Sequence, residues 1–464
     1  MLLEKKLIEN LLDKGLSRGA DFAEVYVEEK NSTVLQSLSG RLEKVNNSKS
    51  FGVGIRLAKK FQVVYGYANS KNPEDLMKLA EDLSKSFNDE NLTERAPLMK
   101  LEVGKRHQAK ISPKDYPLED KVALIKKAYD AANNYDEAIK QVSIYLLDAT
   151  SDVLIANSEG RFVTETRTRV RTYINAVAAK DGVMQTGGKG PGSGKGYEYF
   201  LEEVDVAEEA KEAARIAITM LNAEECPSGV MPVVIHNAFG GVIFHEACGH
   251  PLEATAVAKN ASVFNGKMGK KVASDVVSAI DDGTIENGWG SANYDDEGYP
   301  QQKRVLIKDG ILKSYMIDKI NGRRMNAEAT GSARRESYKY APTSRMSNTY
   351  IDNGKSTFEE IIAATKYGLF AKKLGGGSVN PGNGDFNFAV MEGYMIRDGK
   401  IAEPVRGASL VGNGGNILTK IDMVANNLAR DRGMCGSVSG SIPADVGQPT
   451  LRVTDVTVGG KRGA

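Results

Sequence analysis

The stretch CPSGVMPVVI, residues 226–235, marks the point where the character of the chain changes. Pro227 and Gly229 separate a region rich in helical patterns from an apolar strand, Val230–Ile235. N-terminal to this seam, the helical spacing of Leu2, Leu3, Leu7, Ile8, Leu11 and Leu12 predicts a first helix that Gly19 ends. Alternating runs predict strands over Phe22–Val27, Ser32–Leu38, Val53–Leu57 and Val63–Tyr67. Helices are expected near Pro73–Phe87, Pro117–Asn133 and Val206–Leu221, and Gln141–Ala178 alternates as a meander turning at Ser158-Glu159-Gly160. C-terminal to the seam, short strands with Gly and Asn turns dominate. The exception is Ser356–Phe370, a predicted helix opened by the capping-box pair Ser356 and Glu359. Two glycine-rich stretches, Thr186–Gly196 and Gly375–Asp385, read as loops.

Length and composition bound what such a chain does. At about 150 residues per domain, 464 residues make two or three domains, and the seam narrows this to two, residues 1–226 and 227–464. The 61 basic and 60 acidic residues cancel to a formal +1, which excludes a nucleic-acid binder driven by bulk charge. No apolar run approaches the roughly 18 residues of a membrane span, and Glu4, Lys5, Lys6, Glu9 and Asp13 interrupt the first leucines, so neither a membrane partner nor a secretory leader is expected. Three cysteines, Cys226, Cys248 and Cys435, include no close-set pair, which favours a reducing cytoplasm over a disulfide framework.

Only four histidines occur, and two of them fall in Phe244-His245-Glu246-Ala247-Cys248-Gly249-His250. Zinc proteases use H-E-x-x-H, in which a spacing of four puts both imidazoles on one helical face and the Glu beside the metal-bound water. Here the spacing is five, and at about 100° per residue His250 falls about 140° round a regular helix from His245. A π-bulge, or a helix broken at Gly249 before Pro251, brings the two rings together. A catalytic zinc needs three protein ligands and one open position. Cys435, Cys248, Glu253 and His236 are the candidates for the third, Cys435 in what reads as a glycine-flanked loop.

A longer series of motifs resembles the TldD/TldE (PmbA) metallopeptidases. It comprises FHEACGHPLE (244–253), Asp295-Asp296-Glu297-Gly298, GSARRES (331–337), RMSNT (345–349), Gly384-Asp385-Phe386, Glu392-Gly393-Tyr394, PVRGA (404–408), Gly412-Asn413-Gly414, Gly433-Met434-Cys435-Gly436 and Gly447-Gln448-Pro449-Thr450. Within that family the TldD type carries H-E-x-x-x-H and a late Cys, and this sequence has both. The resemblance implies an α+β fold: an N-terminal mixed α/β lobe, then a largely antiparallel β domain carrying the metal site on a distorted helix and a late loop. It implies His245, His250 and Cys435 as ligands of one Zn²⁺ per chain, with Glu246 as general base. It also implies a TldE-type sister subunit or a homodimer. One departure is that Ser437 stands after Cys435-Gly436, where the family usually has Lys.

The expected function is therefore zinc-dependent hydrolysis of peptide bonds in unfolded or extended peptides. Glu253, Asp295 and Asp296 are candidates to orient an imidazole from behind, and Arg334 and Arg335 to bind a substrate carboxylate. The alternatives are a non-catalytic regulatory or binding protein of the gyrase-modulator kind, which loss of His245 or Glu246 would favour, and amidase action on a modified peptide. Nucleotide binding is not expected, because Gly187–Gly196 fails the phosphate-loop pattern at Lys189 and Gly196.

Overall fold

The computed structural model describes residues 2–379 and 384–461. The N-terminal lobe is built on one mainly antiparallel sheet. Across its main path run Gln62–Ala68, Arg41–Lys59, Phe22–Leu38, Ile139–Asn157, Arg161–Lys180 and Met99–Lys100; Val183–Lys189 and Gly192–Ser193 also pair with Arg161–Lys180. All four long helices of the lobe pack on one face. Lys5–Leu16 and Pro73–Ser84 cover one end, over Ala23, Val25, Val27, Ile55 and Leu154. Leu118–Asn133 and Val206–Leu221 cover the other end, over Leu35, Ile144, Leu146, Val170 and Ile174. Because strand side chains alternate with period two, the intervening residues point to the opposite face. There Phe22, Glu24, Tyr26, Ile155 and Arg167 meet the C-terminal lobe.

Among the described residues, the C-terminal lobe has two large sheets and a two-stranded one, Ala333–Arg334 with Thr343–Ser344. Tyr367–Val379, Gly229–Ile235, Leu451–Gly459, Ser409–Asn413 and Asp385–Arg397 pair in that order, and the last pairs back onto the first to close a barrel. A six-stranded sheet runs Ile311–Leu312, Lys303–Lys308, Ala279–Asp282, Asn348–Ile351, Gly440–Gln448 and Ala429–Ser437. The two large sheets enclose the largest apolar cluster, which takes in Val233, Phe244, Leu306, Phe388, Cys435 and Val453. Helices segregated beside antiparallel sheet make the chain α+β, as expected.

The lobes are joined by buried charge. Arg56 is enclosed between Glu24 at 2.6 Å and Glu297 at 2.7 Å. Arg335 donates to the other oxygen of Glu24 and lies 4.3 Å from the centroid of the Tyr26 ring. Arg167 bridges Glu165 and Asp296, both at 2.6 Å. Removing one member of such a set strands its partners in a dry interior. Arg56→Met is thus expected to cost about 3–5 kcal/mol, read as a lowered midpoint in denaturant unfolding. A cost below about 1 kcal/mol, the range of exposed pairs, would show that the interface tolerates uncompensated carboxylates.

Several elements depart from the sequence reading. Phe22–Val27 and Ser32–Leu38 form one strand, Phe22–Leu38. Thr186–Gly196 is not a free loop, since Val183–Lys189 and Gly192–Ser193 are strands. Glycine serves close approach there: a Cβ on Gly187 would meet Ala213 O at 2.1 Å and Ala217 N at 2.5 Å on the covering helix. Of Gly375–Asp385, residues 375–379 and 385 belong to strands, and 380–383 lie outside the described residues. The helix expected over Ser356–Phe370 is short, Phe358–Ala363, and its capping box is Thr357 with Glu360. Ser356 is held extended by its bridge to Ala425, so the next hydroxyl takes the cap. Phe370 falls in a strand from Tyr367, where it lines a separate apolar cluster with Val234 and Ile396.

Candidate metal centre

The segment Ala238–Leu252 changes helical type along its length. A 3₁₀ turn at Ala238–Gly241 leads through Val242–Phe244 into a π turn, His245–Gly249, and ends in a 3₁₀ turn, His250–Leu252. The His250 N–H donates to His245 O, closing an i→i+5 ring. That closure stacks residues five apart above one another, the distortion that the histidine spacing requires. Small residues allow the wide turn to lie against its neighbours. A Cβ on Gly249 would sit 2.2 Å from Met346 Sδ, and one on Gly414 would sit 2.2 Å from Ala247 O.

Cys435 arrives from the far end of the chain. It lies on the strand Ala429–Ser437, opposite Ile442, and not in a loop as its flanking glycines suggested. Gly433 and Gly436 are accommodated in an outer strand that side chains also hold: Trp289 Nε1 donates to Gly433 O at 2.8 Å, and Arg171 Nη2 to Arg432 O at 2.6 Å. The Cys435 Sγ is 3.2 Å from His245 Nε2 and 3.3 Å from His250 Nε2. The three candidate ligand atoms lie within 4.8 Å of one another, the one such His/Cys/Asp/Glu group among the described residues.

The electrostatics suit a cation. Burial alone pushes the Cys435 thiol up, but the charges and hydrogen bonds of His245 and His250 outweigh it and hold the thiol well below its ordinary value. Burial likewise opposes charge on His250, yet the Glu253 carboxylate and Cys435 raise its basicity well above that of a free imidazole. A thiolate is the metal-binding form of cysteine. Two imidazoles and a thiolate around a tetrahedral zinc, at about 2.0–2.1 and 2.3 Å, would place N and S roughly 3.5 Å apart, close to the spacing present. The donor set therefore fits a divalent metal. Glu246 stands at the rim, 34% exposed at the side chain, with Oε2 3.7 Å from His250 Nε2.

Of the four candidates for a third ligand, Cys435 alone joins the imidazoles. Cys248 is fully buried and donates to Gly414 O at 3.6 Å, and burial pushes its thiol strongly up. His236 pairs with Thr450 Oγ1 at 2.9 Å, between Phe358 and Phe370. Glu253 lies behind His250, with Oε1 3.2 Å from Nδ1, in the place of an orienting carboxylate.

Asp295 and Asp296 orient no imidazole. Asp295 accepts the N–H groups of Glu297, Tyr299 and Ala333, and Asp296 accepts from Arg167 and from the N–H of Arg335. They secure turns at the lobe interface, among the buried ion pairs that join the lobes. Arg334 and Arg335 are also buried: Arg334 donates to Met346 O at 2.7 Å and Arg335 to Glu24. Arg345, within a quoted motif but without an assigned role, packs against the site; no local pattern distinguishes it from a surface arginine.

The comparisons with known proteins point to metallopeptidases. The descriptions PmbA/TldA metallopeptidase domain 1, central domain and C-terminal domain match residues 23–87, 111–221 and 228–460. A Haemophilus influenzae protein named metalloprotease TldD homolog is 37% identical over 99% of this chain and 97% of its own. A metalloprotease of Methanocaldococcus jannaschii is 34% identical over 97% of this chain and 99% of its own. In structure, a Thermotoga maritima protein described as a candidate modulator of a DNA gyrase superposes with TM-score 0.80 at 22% identity, covering 98% of this chain and all of that one. TldE from Thermococcus kodakarensis gives 0.78 at 19%, covering 97% and 99%.

Proposed function

Since the chain belongs to the PmbA/TldA metallopeptidase family, we propose that it is a zinc peptidase of the H-E-x-x-x-H kind, with His245, His250 and Cys435 as ligands and Glu246 as general base. The observation that carries this reading is the convergence of Cys435 Sγ on two Nε2 atoms from 185 and 190 residues away, with an acid at the rim. A bound zinc supplies Lewis acidity to a substrate carbonyl and to water.

The chain's own groups do the rest. Glu246, partly exposed, takes the proton from the attacking water and hands it to the departing amine. Glu253 on His250 Nδ1 keeps that ring's Nε2 turned toward the site. Extended or unfolded peptides are the proposed substrates, since Cys435 stands on the outer strand of its sheet, where an extended backbone can align. The division into domains 1–226 and 227–464, a TldE-type sister subunit or homodimer, and a cytoplasmic setting belong to the same proposal. No helix among the described residues is long and apolar enough to cross a membrane.

The test is metal content with activity. Purified protein is expected to carry about one zinc per chain, to cleave an unstructured peptide, and to lose cleavage on chelation and regain it with zinc. Cleavage that survives complete metal removal would refute the reading.

A further inference from the structure

His250 and Cys435 come from different elements, and one side chain touches what holds each of them. Arg345 is fully buried. Its Nη2 donates to the main-chain O of Cys435, and its Nη1 donates to Ser439 Oγ at 2.8 Å and Gly440 O at 3.0 Å. The guanidinium thus fixes both the residue bearing the thiolate and the turn that follows it. Its Nε, which has no hydrogen-bond partner of its own, faces Glu253 Oε1 at 3.9 Å. That same oxygen is the one 3.2 Å from His250 Nδ1. The next residue, Met346, lies against Gly249 in the π turn, so the 345–346 pair contacts both ligand-bearing elements.

The charges are ordered as well as the contacts. A buried guanidinium beside a cation site repels the cation unless a carboxylate is interposed, and Glu253 stands between Arg345 and His250. A carboxylate on Nδ1 keeps that ring's proton there and leaves Nε2 free to bind. Lysine could not reproduce this, because one ammonium cannot reach the three oxygens that the planar fork spans.

We propose, on the reading that His245, His250 and Cys435 hold a metal, that Arg345 is a positioning residue for the metal centre. It fixes the Cys435 carbonyl by a hydrogen bond and draws the Glu253 carboxylate toward it by charge, so that Sγ and the His250 Nε2 are spaced for an ion before one arrives. Its effect passes through Glu253 to one ligand and through the main chain to the other.

The test is a cobalt(II) titration of the metal-free full-length protein against a competing chelator, following the thiolate-to-cobalt absorption band. Arg345→Lys and Glu253→Gln are each expected to weaken cobalt binding by about 10–100-fold, and the double variant by less than the product of the two. Affinity is the informative readout, because a merely structural role lowers the unfolding midpoint and leaves the folded protein's cobalt affinity unchanged. Wild-type affinity in either single variant overturns the proposal, as does a double variant whose loss equals the product. Should Arg345→Lys fail to fold, Glu253→Gln decides alone. A wild-type protein that gives no thiolate band overturns the metal reading itself, an outcome distinct from wild-type affinity in the variants.

Discussion

Glu246→Gln is expected to leave the fold and the metal content unchanged and to lower kcat for peptide hydrolysis by about 10²–10⁴-fold. The side chain is 34% exposed and takes no part in the buried ion pairs between the lobes, so an isosteric amide leaves packing and lobe contacts in place. What the amide cannot do is accept a proton. The loss should therefore fall on kcat rather than KM, because a proton moves only as the bond is made and broken. A variant with full turnover would remove Glu246 as the base. A variant that lost its metal would recast Glu246 as a ligand or a support for His250.

Cys435→Ala should have the larger effect on the metal. It removes the one anionic donor of the three and leaves the two imidazoles that the π turn brings together. Zinc binding is expected to weaken by at least about 10²-fold, more than loss of an orienting partner costs, with cleavage lost in parallel. The cavity left by one sulfur is small, so the metal-free fold should persist, with far-ultraviolet circular dichroism as the check. Undiminished zinc would shift the third ligand elsewhere. Cys248, whose thiol burial pushes strongly up, and Glu253 would then be the alternatives to examine by substitution.

Much of the chain was legible one segment at a time. Val206–Leu221 spans the residues its periodicity indicates, and the Ile139–Asn157 and Arg161–Lys180 hairpin turns at Ser158–Gly160. Both are local matters, decided by apolar spacing and by turn residues. The glycine-rich stretches misled because glycine signals two different things. At Gly187 it admits the backbone of a covering helix, and at Gly377 it makes room for the Phe388 ring, so each is a strand residue rather than a loop.

Asp295 and Asp296 misled for a related reason. An acidic turn next to a glycine reads as a surface feature or as an outer partner of a metal. Its true environment, a dry interface with Arg167 and the N–H of Arg335, depends on residues more than 35 positions away. Arg345 was invisible as anything more than part of a motif, since nothing in RMSNT distinguishes a fully buried guanidinium from a solvated one.

By itself the sequence determined many of the helical and strand segments, the pair of histidines around an acid and the need for a distorted turn between them. These follow from periodicity, from turn chemistry and from 3.6 residues per helical turn, all of which act over a few residues. Only the tertiary structure decided which of the four candidates lies beside both imidazoles. It carries Cys435 into reach of both rings on an outer strand that Trp289, Arg171 and Arg345 hold in place. It also engages Asp295 and Arg334 in buried hydrogen bonds within the C-terminal lobe, and carries Asp296 and Arg335 across the lobe interface to Arg167 and Glu24. The reason is physical: a ligand set is a statement about distances of a few ångströms, and closing a loop of nearly 190 residues is governed by the packing of whole sheets, which no local pattern records.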